Sequence, residues 1–279
     1  MTEDAEDKSK IIDRVRKLLA LASNNTSIEE SAAAAAKAQA LMEKYAIIDA
    51  MVAGERQDAD PTITSKVIWT GGKVPTWILQ LSMGLAEVNR CKIWYHAGRR
   101  SKGYNGYIKA AGTEESLAKM SVLLDWLIGE VNRLYIEDKP GIFNRGDGKK
   151  WANAFRLGAS STIVARLTEA AKQARLEMQQ GGPSSEAYRI ALETADIEAL
   201  MRLDAQRINR TVYLPAQVQT ALVRLDNEVK LVAGWMSKNL KLNKGTPRNF
   251  QGSYEAGYRS GRKAGERADL HGPHDDGEE

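Results

Sequence analysis

Apolar residues recur at alternating three- and four-residue spacing along most of this chain, the pattern of helices with one buried face. Between Thr62 and Thr113, strand-like stretches rich in β-branched and aromatic residues flank one helical stretch. A chain patterned in this way folds mostly as packed helices around one short sheet. We therefore expect an α+β protein, predominantly α, with an N-terminal helical hairpin, a small β-α-β-β-α unit and a C-terminal helical bundle.

The hairpin is expected over residues 8–52. Ile11, Val15, Leu18, Leu19 and Ala22 share one helical face, and Ser23-Asn24-Asn25 ends it. Ser27 and Glu30 have capping-box spacing for a second helix, whose apolar face carries Ala34, Ala38, Leu41, Met42 and Tyr45. The small unit spans 62–138. It has a strand over Ile63–Trp69, a helix with Ile78, Leu81, Leu85 and Val88 on one side, and strands over Lys92–Ala97 and Tyr107–Ala111. Thr113 then caps a helix carrying Leu117, Met120, Leu124, Leu127, Val131 and Leu134. Its helix–strand–strand–helix portion has the element order of the double-stranded-RNA-binding fold, as topology alone. The helical region spans 149–270. Helices are expected from Trp151, from Ser185, from Pro215 and from Phe250 to Leu270. The stripe Val218, Leu222, Leu225, Val229, Val232, Met236 suits helix–helix packing within the chain or in an oligomer.

Lys17-Leu18-Leu19-Ala20-Leu21-Ala22, Glu29-Glu30, Ala36-Lys37-Ala38-Gln39-Ala40-Leu41-Met42 and Tyr45 occur in that order. Together they resemble the opening domain of an uncharacterised phage and prophage family, a domain with no assigned function. The middle unit and the Ala256-Gly257-Tyr258 to Gly265 segment are similar to what often follows it. The resemblance implies a phage or prophage setting near DNA-recombination genes. It supplies no catalytic residues.

Charge placement says more than charge total. The net charge is +4, from 40 basic and 36 acidic residues. Met1–Asp7 and Asp275–Glu279 each hold four acids and no base, so the segment between them carries 40 bases against 28 acids, or +12. Within it, Val88–Thr113 contains Arg90, Lys92, Arg99, Arg100, Lys102 and Lys109 and no acid, interleaved with Trp94, Tyr95, Tyr104 and Tyr107. Cations at this density neutralise phosphates, and aromatic faces stack on bases. Strand alternation places Lys92, Trp94 and His96 on one face and Ile93 and Tyr95 on the other. The signature motif of the common RNA-binding sheet domain is absent.

Gly257, Gly261 and Gly265 recur every fourth residue in the last helix. Each costs about 1 kcal/mol relative to alanine, a cost most simply offset by another backbone in close contact. Arg259, Arg262 and Lys263 occupy its other faces and extend the candidate phosphate-binding set. Lys10, Arg14 and Lys17 form a further basic stripe, more typical of an ordinary amphipathic helix.

Catalytic patterns fail on inspection. Gly141–Gly146 has phosphate-loop spacing, but Asp147 stands where lysine is required. His96, His271 and His274 are scattered, and Cys91 has no identifiable histidine partner. Glu193, Asp196, Glu198 and Asp204 are spaced as a polar helix face. The reading leans against an enzyme, with no metal and no cofactor implied. The acidic opening lacks a secretory pattern, no apolar run reaches membrane-spanning length, and a lone cysteine suits the reducing cytoplasm. Two functions lead, ahead of an enzyme of unrecognised type. One is a nucleic-acid-binding accessory protein using Arg90, Lys92, Trp94, Arg99, Arg100, Lys102, Tyr104, Tyr107, Lys109, Arg259, Arg262 and Lys263. The other is a protein–protein inhibitor or adaptor acting on a host enzyme or defence complex.

Overall fold

The computed structural model describes residues 28–55, 59–98, 103–141, 147–179, 215–242 and 255–267. Helix α1 (Ile28–Glu55) is followed by β1 (Thr64–Gly71), α2 (Thr76–Val88), β2 (Lys92–His96), β3 (Gly106–Gly112) and α3 (Glu114–Asp138). Three more helices follow among the described residues: α4 (Asp147–Gln179), α5 (Pro215–Asn239) and α6 (Glu255–Arg267). The protein is α+β and mostly helical, as the periodicity implies. The first helix of the expected hairpin, the helix from Ser185 and the carboxylates Glu193–Asp204 lie outside the described residues.

The sheet is antiparallel with strand order β1-β3-β2. Strands β1 and β2 thus run parallel to each other with β3 inserted between them, a split β-α-β arrangement. This departs from the double-stranded-RNA-binding order, because the strand preceding α2 pairs with β3 and makes it central. A register shift between Val67 and Trp69 marks a bulge in β1. The extra residue lets Trp69 pack against the core while Val67 stays 40% exposed.

Helix α3 starts where the sequence places it. Thr113 Oγ1 accepts a hydrogen bond from the Ser116 amide at 3.2 Å, and Glu114 and Glu115 lie in the first turn. Its stripe Leu117, Met120, Leu124, Leu127, Val131, Leu134 is buried throughout. With Ile78, Leu81 and Leu85 of α2 it covers one side of the sheet, against Ile68, Ile108 and Ala110. The same core includes Ala35, Ala38 and Met42 of α1, Trp151, Phe155 and Leu167 of α4, and Ala264 of α6. The three sequence regions therefore contribute to one shared core. A second cluster joins Ile47 and Met51 of α1, Met178 of α4, and Val218, Leu222 and Leu225 of α5.

The glycines of α6 meet α4. A Cβ at Gly257 would lie 2.8 Å from the Trp151 carbonyl oxygen, and one at Gly261 would collide with the Phe155 carbonyl oxygen. On the α4 side, a Cβ at Gly158 would collide with the Tyr258 carbonyl oxygen. The backbones touch, which is the return that the repeated glycines require. Four members of the α5 stripe, Val218, Leu222, Leu225 and Val232, are likewise buried within this chain. Most of that stripe is thus used internally.

Candidate nucleic-acid interface

Strand alternation gives the sheet two unlike faces. Ile93, Tyr95 and Ile108 point to the core. Trp94, opposite Lys109, and His96, opposite Tyr107, therefore occupy the other face. Val67 and Thr70 of β1 are registered with Lys109 and Tyr107 and complete it. Lys92 and His96 are exposed, while Trp94, Tyr107 and Lys109 are half-buried by their neighbours.

The face combines aromatic rings and cations. The His96 and Tyr107 rings stack at 5.5 Å with an interplanar angle of 20°. Lys109 Nζ lies 5.7 Å from the Tyr107 ring centroid. No carboxylate lies within ion-pair distance of Lys92 or Lys109 among the described residues. Tyr104, 62% exposed, sits at the end of the β2–β3 connection just before β3. That connection begins at Gly98, whose φ of +73° favours glycine and whose absent Cβ leaves room for the Gly72 carbonyl oxygen. Arg99, Arg100 and Lys102 lie outside the described residues.

Arg90 is not on this face. It is 7% exposed and donates from Nη1 to Glu43 Oε2 at 2.8 Å. Glu43 also accepts from Arg175 Nε at 2.6 Å through its other oxygen, and Glu228 lies 3.7 Å from Arg90 Nε. Burial opposes charge on the Glu43 carboxyl, but the guanidiniums of Arg90 and Arg175 outweigh it and hold the carboxyl below its usual range. Burial likewise opposes charge on Arg90, yet Glu43 raises its pKa. Sequence proximity to Lys92 cannot reveal this, because the pairing acids come from α1 and α5.

Arg259, Arg262 and Lys263 are carried on α6, which packs on α4 and α3. Arg259 and Lys263 are exposed along with Arg262, and Arg259 is paired within its helix to Glu255 at 3.3 Å. These cations are therefore on a separate element from the sheet face. Cys91 is buried, and its burial pushes the thiol up to about 12. Among the described residues no three His, Cys, Asp or Glu side chains form a metal-holding group. No described helix is long and apolar enough to cross a membrane.

One cation has no signature in the sequence. Arg156 of α4 lies 4.0 Å from the Tyr135 ring centroid and 5.9 Å from that of Trp77, with Nε donating to Asn132 Oδ1 at 2.9 Å. Burial lowers its pKa. Its partners are aromatic and distant in sequence, so no local pattern announces it.

Residues 10–47 match the model of a family described as Protein of unknown function (DUF2786). The match covers the blocks from Lys17 to Tyr45. No curated protein and no solved structure matches the chain. Of the DUF2786 segment, residues 28–47 are described and form the first part of α1. Glu43, the acid that holds Arg90 at the start of β2, belongs to it. The described part of the matched segment thus packs onto the unit that carries the sheet face.

Proposed function

We propose that this protein binds nucleic acid through the sheet face that carries Trp94, Tyr107 and Lys109 and carries out no chemistry itself. It would serve as an accessory factor in phage or prophage DNA metabolism, acting in the cytoplasm. The observation carrying this reading is an acid-free face on which Lys92 and Lys109 alternate with Trp94, Tyr107 and His96. Such a face attracts a polyanion by charge and has ring surfaces for bases. Arg99, Arg100 and Lys102 extend the same acid-free run between the two strands. The exposed cations of α6 supply a second, separate site for phosphate.

A fluorescence-anisotropy titration at several salt concentrations tests this. Affinity should fall linearly with salt on logarithmic axes. Replacing Lys92 and Lys109 by alanine should weaken binding and make the slope shallower by about 1 for each phosphate no longer neutralised. Replacing Arg99, Arg100 and Lys102 together should act in the same direction. Absence of binding at low salt, or binding indifferent to salt and to these substitutions, would overturn the proposal.

A further inference from the structure

Trp69, Trp77, Trp126 and Trp151 pack in or against the core. Trp94 does not. It lies on the opposite face of the sheet and has no ring partner among the described residues. Two positions along β2 lies His96, stacked on Tyr107 of the neighbouring strand. These are two ring surfaces on one face, separated by about 6.8 Å of strand.

That spacing bears on what can be bound. Bases stacked in a helix rise about 3.4 Å per nucleotide, half the separation of the two surfaces. Neighbouring bases can rest on both only if the strand is extended and the bases are unstacked from each other. A duplex keeps its base faces hidden, and a flat sheet does not enter its grooves as a helix or ribbon does. Lys109, directly opposite Trp94, and Lys92, two residues before it, place cations beside the first surface. We infer that the face is a two-position platform for unpaired bases of a single-stranded nucleic acid, Trp94 forming one position and the His96–Tyr107 pair the next. This rests on the nucleic-acid reading above and narrows it to the single strand.

The test uses the full chain and three probes of equal length: a thymidine single strand, a strand of abasic sugar-phosphates, and a duplex. The thymidine strand should bind about 25- to 10,000-fold more tightly than the abasic strand, since two stacked bases at about 5- to 100-fold each are lost together. It should also bind more tightly than the duplex. Trp94→Ala and Tyr107→Ala should each lose about 5- to 100-fold on thymidine and almost nothing on the abasic strand. The abasic strand thereby reports whether each variant is still folded. Trp94→Phe, which keeps a ring face, should retain most of the affinity. Equal affinity for thymidine and abasic strands, or preference for the duplex, would overturn the platform while leaving charge-driven nucleic-acid binding standing. Failure of all three probes to bind at low salt would overturn the broader reading as well.

Discussion

Arg90 shows how one residue joins local geometry to long-range packing. Helix α2 ends in a paired-hydrogen-bond turn, in which the Cys91 amide donates to the Ala86 carbonyl at 2.8 Å and the Arg90 amide to that of Glu87 at 3.3 Å. The left-handed position of such a turn usually holds glycine, yet Arg90 occupies it at φ 57°. The left-handed backbone costs about 1 kcal/mol, and the buried contact with Glu43 offsets it. Glu43→Gln leaves Arg90 buried without its main counter-charge and should destabilise the protein by about 3 kcal/mol at neutral pH, read by urea denaturation. Because the folded state holds the Glu43 carboxyl low, its contribution is present above the unfolded value of about 4.3 and lost as pH falls through the folded one. The stability gap between wild type and Glu43→Gln should therefore narrow as the pH falls below about 4. Glu228, whose burial raises its carboxyl, has the opposite sign: its contribution is present below about 4.3 and lost as pH rises through its folded value. A gap that stays constant with pH would show that Glu43 is not the titrating partner. Cys91, next in sequence, should resist alkylation in the native protein at pH 8 and react once unfolded, since its thiol is buried and pushed up to about 12.

At the scale of elements, periodic signals are readable in the sequence and contact partners are not. Strand alternation correctly separates Ile93 and Tyr95 from Trp94 and His96 because a period of two follows from backbone geometry alone. The Thr113 cap and the α3 stripe are legible for the same reason, being local. Arg90 looks like Lys92 because the pairing carboxylate is 47 residues away. The glycine spacing announces a close backbone approach without naming α4 as the other side. Alanine substitutions separate the two kinds of glycine. Gly261→Ala forces a methyl into the Phe155 carbonyl and should destabilise by about 1–3 kcal/mol. Gly234→Ala, in α5 with nothing within 4 Å of its would-be Cβ, should instead stabilise by about 0.5–1 kcal/mol. Thermal melts of the two variants should shift in opposite directions. A destabilised Gly234→Ala would mean that α5 packs more closely there than this structure has it.

At the scale of the molecule, composition and linkers suggest three units, whereas packing joins them. Sequence marks boundaries by local polarity, as at Gly54–Pro61 and Lys139–Gly148, but polarity at a boundary does not report whether apolar faces beyond it meet. Here they do: Met42 of α1, Leu124 of α3, Phe155 of α4 and Ala264 of α6 lie in one core with the sheet. The buried charges reinforce this, since Glu43 of α1 contacts both Arg90 beside β2 and Arg175 of α4. Exposing any one element would open apolar surface on the others, so partial unfolding carries most of the cost of complete unfolding. The described body should therefore unfold in urea as one cooperative unit. Tryptophan fluorescence reports on Trp77 and Trp151 in the core, whereas far-UV circular dichroism is weighted towards the long helices. Their transitions should coincide in midpoint and slope. An early loss of helical signal with the tryptophan environment unchanged would show instead that the β-α-β-β-α unit and α4, which carries Trp151, hold their fold without α1 and α6. The sheet face would then be part of a module that works when detached from those two helices.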